Sequence, residues 1–178
     1  MPFRIRPIAA ALLLVACALP HHTTTPDARW QVAFTPDSSL SFLVPPGYEP
    51  RNRFSCWTRK EAGWPVAADF CLERVRRDRV DREWAVWRRP CEGSAIGAEA
   101  ACYHGLIVDT LDRAIPQSIV LRGLFSGKLE PYERRPAILV SVPIDRGDYA
   151  LLTGEYRYAE NYEELLAVAR TIRIVNAR

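Results

Sequence analysis

The stretch "FSCWTRKEAGWPVAADFCLERV", Phe54 to Val75, holds two runs of strand-forming residues around a turn-like centre. "FSCWTR" (Phe54 to Arg59) and "ADFCLERV" (Ala68 to Val75) flank "KEAGWP", and Gly63 lies near the midpoint between Cys56 and Cys71. A hairpin that sets Cys56 opposite Cys71 also sets Trp57 opposite Phe70 on the other face, because side chains alternate along a strand. An aromatic pair across two strands stabilises a sheet. Two independent features therefore select one register, and an antiparallel hairpin becomes the starting point for the fold.

Working outward, "WQVAFTP" and "LSFLVPPGYEP" precede the hairpin as short alternating runs broken by Pro, Asp, Ser and Gly, the pattern of successive antiparallel strands. Downstream, "YHGLIVDTL" and "QSIVLRGLF" are joined by "DRAIP", and "PAILVSVPI" and "YALLTGEYR" by "DRGD", a sequence suited to a hairpin turn. In "PAILVSVPI", Ile138, Val140 and Val142 share one face and Ala137, Leu139 and Ser141 the other, which predicts a strand buried on one side and lightly covered on its other side. No strand–helix alternation is long enough for parallel crossovers, so the sheet is expected to be mainly antiparallel. One helix is well signalled. "AENYEELLAVARTIR" offers Asn161 as N-cap with Glu164 three residues on, close to a capping box, and Glu163 also suits the positive helix end. Leu165, Leu166, Ala169 and Ile172 form a stripe at helical spacing that reads as core. The fold class is thus α+β, a mainly antiparallel β-sheet with a C-terminal helix packed on it.

"LSFLVPPGYE" and the closing "YALLTGEYRYAENYEELLAVARTIRI" resemble the first strand and the final strand–helix of PsbP-like domains, which also occur in small bacterial envelope lipoproteins. The resemblance covers two short segments. It implies an α/β/α sandwich with a central antiparallel sheet, and a binding or assembly role without catalysis. The chain departs from that pattern in its cysteines and in an arginine-rich middle.

The amino end carries a different kind of signal. Arg4 and Arg6 precede an apolar run, Ile8 to Val15, of eight residues, against the roughly 20 that a membrane-spanning helix needs. The run closes on small Ala16, as a secretory signal does. Leu14-Val15-Ala16-Cys17 resembles the lipobox of bacterial lipoproteins, which implies cleavage before Cys17, a diacylglycerol on its thiol and a further acyl chain such as palmitate on its amine. One acyl chain binds a membrane marginally, whereas two or more anchor stably. Ala18 stands where the enteric inner-membrane retention signal carries Asp, which favours the outer membrane, facing the periplasm. The expected organisation is a signal peptide over 1–16, a lipidated N-terminus and flexible tether over 17–29, and a single disulfide-stapled domain over 30–178. His21 and His22 fall in the tether "ALPHHTTTPDAR" and read as solvated linker rather than a metal site.

Cleavage changes the charge. The chain has 24 Lys+Arg and 21 Asp+Glu; losing Arg4 and Arg6 leaves 22 against 21, so the formal charge falls from +3 to +1. A global electrostatic case for nucleic acid fails on that count. Export also implies an oxidising compartment, and with Cys17 lipidated four cysteines remain: Cys56, Cys71, Cys91 and Cys102. Four cysteines allow three connectivities. The hairpin favours Cys56–Cys71, leaving Cys91–Cys102 to close "CEGSAIGAEAAC", each closure worth about 3 kcal/mol in the loop-entropy picture. Without any C-x-x-C spacing, zinc and redox roles are disfavoured.

"LERVRRDRVDREWAVWRRP", Leu72 to Pro90, carries seven arginines among four acids, with Val75, Val80, Trp84, Val86 and Trp87 interspersed. Val80, Trp84 and Trp87 fit a helix face, whereas "EWAVW" alternates like a strand. The segment reads either as a structural edge with its tryptophans buried or as a partner surface of Arg76, Arg77, Arg79, Trp84, Trp87 and Arg88, since Trp and Arg are enriched at interface hot spots. Anionic head groups are a weaker match because of the acids.

Catalytic patterns are sparse. Inside the expected domain the only histidine is His104, beside Tyr103, and it reads as structural. "GLFSG" departs from G-x-S-x-G, and "GLFSGK" is one residue short of a phosphate loop and continues with Leu129. "DRGD" is too short for a calcium loop. No cofactor or metal is expected. The favoured reading is a non-catalytic, membrane-anchored envelope lipoprotein that binds a protein partner or assists assembly. The alternative is an immunity or inhibitor lipoprotein that neutralises a toxic envelope enzyme; a third reading is an envelope hydrolase using His104 with an acid such as Asp109.

Overall fold

The computed structural model describes residues 24–51, 55–61, 64–88, 102–113, 115–126, 134–145 and 147–175. The expected signal peptide, the lipobox with Cys17, His21, His22 and Cys91 lie outside the described residues. In chain order the elements are β1 (Gln31–Phe34), β2 (Leu40–Val44), β3 (Tyr48–Pro50), β4 (Cys56–Glu61), β5 (Trp64–Arg76), α1 (Arg77–Trp87), β6 (Cys102–Asp112), β7 (Ile115–Ser126), β8 (Arg134–Asp145), β9 (Asp148–Tyr156), α2 (Ala159–Arg170) and β10 (Arg173–Ile174). Every strand pairing among the described residues is antiparallel. A seven-stranded sheet runs in the order β3-β4-β5-β9-β8-β7-β6, and a three-stranded sheet in the order β1-β2-β10. The chain is therefore α+β, mainly antiparallel sheet with the C-terminal helix packed on it.

The founding hairpin has the expected register. Cys56 pairs with Cys71 and Trp57 with Phe70. The cysteines are joined by a disulfide with Cα atoms 4.0 Å apart, and the two rings stack at 5.3 Å between centroids. Phe42 of β2 meets Trp57 edge-on at 4.8 Å, so the same aromatic pair that sets the hairpin also receives the small sheet. The "DRGD" turn behaves as expected too: Asp145 pairs with Asp148, and Gly147 takes φ +92°, a backbone conformation that glycine tolerates without strain.

Helices lie on both faces of the large sheet. On one face α2 buries Leu165, Leu166, Ala169 and Ile172 with Phe70, Leu72, Ile138, Val140 and Leu152, and the small sheet adds Leu40, Phe42 and Val44. On the opposite face α1 lays Trp87 against Leu121, Ala137, Leu139 and Leu151. Two expectations need correction here. β8 is not lightly covered on its second face: Ala137, Leu139 and Ser141 are as buried as Ile138, Val140 and Val142, because α1 roofs that side. Asn161 is not the N-cap of α2: the helix starts two residues before it, with Tyr158 as an extended N-cap that makes no side-chain capping bond. The Asn161 backbone N–H already donates to Tyr158 O at 3.1 Å, and its side chain is buried.

The ambiguous arginine-rich segment resolves as helix where "EWAVW" alternates like a strand, because Val80 and Trp87 are the side chains that the core takes up. β5 continues to Arg76, and α1 begins at Arg77 with Val80 and Trp87 buried on its inner face. Near the end of the expected tether, Thr24, Thr25 and Pro26 lie beside the end of α2 and the β6–β7 turn, while Asp27, Ala28 and Arg29 are exposed. No helix among the described residues is long and apolar enough to cross a membrane.

Candidate functional site

Two of the four arginines expected to form a partner surface, Arg77 and Arg79, are matched by acids on their own helix, as is the neighbouring Arg82. Arg77 meets Asp81 at 3.0 Å, Arg82 meets Asp78 at 2.7 Å and Arg79 meets Glu83 at 2.8 Å, each at i,i+4 spacing. These exposed pairs add little stability, but they cancel the field that an arginine cluster would otherwise project. Trp87, 3% exposed, belongs to the core rather than to any exposed surface. Trp84 is half-buried with the Arg88 guanidinium 5.2 Å from its ring centroid, and its Nε1–H is buried with no partner among the described residues. Arg76 is exposed at the end of β5.

The disulfide cysteines fare differently. Cys56 and Cys71 are joined, as above. Cys102 opens β6 opposite Ser126, while its expected partner Cys91 lies outside the described residues. The backbone of His104 pairs with Leu124 in the β6–β7 ladder; its side chain lies outside the described residues. Asp109 is exposed, and its Oδ1 accepts a bond from the adjacent Thr110 N–H. Among the described residues no group of three or more His, Cys, Asp or Glu side chains could hold a metal ion.

What the structure brings together lies at the far edge of the large sheet. Among the described residues β6 is the last strand there, pairing with β7 on one side only. Edge backbone N–H and C=O groups unused by the sheet are a template for a further strand. The strand is long, Cys102–Asp112, and is broken by register shifts between His104 and Ile107 and between Thr110 and Asp112, with Gly105 at φ +60° in the first. Such bulges bend a strand and re-aim its side chains. Ile107 and Val108, in the regular ladder between the two shifts, are 47% and 54% exposed on opposite faces, and Leu124 on β7 is 38% exposed. Isolated exposed apolar residues are ordinary; here three flank one open ladder.

On the α2 side the apolar rim continues into a polar aromatic cluster. Arg122, directly opposite Ile107, holds its guanidinium 5.2 Å from the ring centroid of Tyr162, and Tyr162 lies 5.4 Å from Tyr156. Burial pushes both phenols above their ordinary pKa, against the pull of Arg122, so both stay neutral hydrogen-bonding groups across the physiological range. Tyr and Arg beside exposed Ile and Leu is the composition of a protein-binding hot spot. Nothing in the sequence of β6 marks it as an edge; that status follows from sheet order alone.

A second polar cluster, between the sheet and α2, is structural. Arg59 Nη1 donates to Glu164 Oε1 at 2.7 Å and Oε2 at 2.8 Å, and Tyr48 Oη and Asn161 Nδ2 both donate to Oε2. Burial is the main cause that drives the Tyr48 phenol far above its normal range, with the negative charge of Glu164 adding to it. The cluster clamps α2 to β3 and β4.

Among solved structures, one of a point mutant of the protein Mog1 is similar to this chain, with a TM-score of 0.48 and 10% sequence identity over 83% of this chain and 97% of that one. No family model and no curated protein matches the sequence.

Proposed function

We propose that this chain is a lipid-anchored lipoprotein of the bacterial envelope, held through Cys17 at the outer membrane on its periplasmic side, and that it works without catalysis as a binding or assembly-accessory module. Its partner is an envelope protein that lays an extended segment along β6. The supporting observation is the open β6 ladder flanked by exposed Ile107, Val108 and Leu124 and by the Arg122–Tyr162–Tyr156 cluster. Strand addition draws affinity from main-chain hydrogen bonds and specificity from alternate side chains, and this edge offers both.

The test is crosslinked capture from gently solubilised envelopes of the intact protein and of Val108→Lys and Ile107→Lys variants. A charge on an edge strand blocks pairing with another chain without touching the core. One stoichiometric envelope protein recovered with the parent chain and lost with either variant, at unchanged melting temperature, is the expected result. Capture that survives both substitutions overturns the β6 assignment. If the captured protein is a secreted hydrolase whose activity falls on binding, the immunity or inhibitor reading replaces the accessory one. Cys17→Ser is expected to release the protein from the membrane fraction into the soluble periplasmic fraction.

A further inference from the structure

The outer face of the three-stranded sheet is apolar where solvent-facing strand positions are ordinarily polar. Across it, Phe34, Ser41 and Arg173 are direct neighbours in one row, and Val32 and Leu43 in the next. Val32 is 64% exposed and Phe34 52%, whereas Leu40, Phe42 and Val44, on the opposite face of the same sheet, are buried in the core. At the rim stands Arg173, whose Nη1 donates to the Arg170 and Ile172 carbonyls at 3.0 and 2.7 Å, which fixes its charge beside the patch.

We infer that this face lies on a phospholipid bilayer, with Val32, Phe34 and Leu43 entering the headgroup region and Arg173 meeting a lipid phosphate. The inference rests on the reading of Cys17 as the acylated residue. What selects a membrane over other occupants is where the chain goes. Thr24, Thr25 and Pro26 lie in an open groove of about 490 Å³ shared with Arg170 and Thr171, and the Thr171 hydroxyl accepts the Leu43 N–H at 2.9 Å. The chain therefore leads toward Cys17 from the groove between the β6–β7 turn and the end of α2, where Thr171 is bonded to Leu43 of this face. Cys17 is seven residues from Thr24, a reach of at most about 25 Å fully extended. A bilayer holding the acyl chains thus passes within that distance of Thr24, at the end of α2 whose Thr171 is bonded to Leu43 of the patch. Apolar and aromatic side chains rimmed by a cation are the composition that binds an interface, about 5–10 Å into the headgroup and acyl boundary.

The experiment uses the full chain, processed and acylated in a bacterial host and reconstituted into phosphatidylethanolamine–phosphatidylglycerol vesicles that carry spin-labelled lipids. A genetically encoded fluorophore replaces Phe34 in one sample and the exposed Lys60 in another. Flotation with the vesicles and mass spectrometry of the N-terminal peptide report the anchor independently. The expected result is that the fluorophore at position 34 loses intensity to the spin-labelled lipids while that at position 60 does not, with Cys17 acylated and the protein floating. Equal, weak quenching at both positions in floating, acylated protein overturns the inference and leaves the anchor reading standing. Position 34 shielded alike in vesicles and in detergent, with a crosslinked dimer, assigns the face to a second copy and overturns it too. An unacylated protein that does not float overturns the anchor reading, and this inference with it.

Discussion

Single side chains decide how α2 sits on the sheet. Glu164 collects Arg59, Tyr48 and Asn161, and its side chain is 17% exposed against 35% for Arg59, so solvent weakens the pair only in part. A double-mutant cycle of Arg59→Gln and Glu164→Gln is expected to return a coupling of about 1–2 kcal/mol by denaturant unfolding. Asp69 gives a pH signature. Burial pushes its carboxyl above the ordinary aspartate range, although the Glu155 backbone N–H and the charges of Arg51 and Arg135 pull the other way. The folded state therefore binds this proton more tightly than the unfolded chain does. The stabilisation from protonation is complete below the unfolded pKa of about 3.9 and is lost as pH rises through the higher folded value. Asp69→Asn keeps an acceptor for the Glu155 N–H and removes the buried charge. It is expected to be more stable than the parent near neutral pH, with the gap closing as pH falls toward about 3.5, as urea unfolding at the two pH values would read.

Among elements, the hairpin of β4 and β5 was legible because strand side chains repeat every two residues, so one cysteine pair and one aromatic pair suffice to set its register. Replacing Cys56 and Cys71 by Ser opens a link across a sequence separation of 15 residues and is expected to cost about 3 kcal/mol in chemical denaturation. Other boundaries were not legible, for local reasons. The start of α2 carries no side-chain cap, since Tyr158 supplies only its carbonyl, and the better capping residue Asn161 lies inside the helix. The change from β5 to α1 falls between two arginines, Arg76 and Arg77, with no Gly or Pro to mark it. The burial of the second face of β8 depends on that helix folding back, which no periodicity within β8 encodes. Gly154 shows how closely the layers meet: a Cβ there would lie 2.5 Å from the Asp69 carbonyl oxygen, 3.1 Å from Phe70 Cβ and 3.3 Å from Leu165 Cδ1. Gly154→Ala must therefore push β5 from β9, with an expected loss of about 1–3 kcal/mol, visible as a lower denaturation midpoint.

For the whole molecule, the sequence showed that an antiparallel sheet carries a C-terminal helix but not which strand ends it. The arginine-rich segment drew attention because its composition is local, whereas β6 acquires an open ladder only when seven strands take their order. That order has a further consequence. β3, β4 and β5 are neighbours in sequence and in the sheet, as are β6, β7, β8 and β9; the two meanders meet along the β5–β9 ladder alone, where Leu72 pairs with Leu152. Each meander can form from contacts close along the chain, but the ladder between them must close a loop of about 80 residues before any of its bonds repay that entropy. The refolding rate is accordingly governed by how fast two preformed halves find this one line of contact. Gly154→Ala, on that line, should slow refolding more than a truncation of equal cost within either meander.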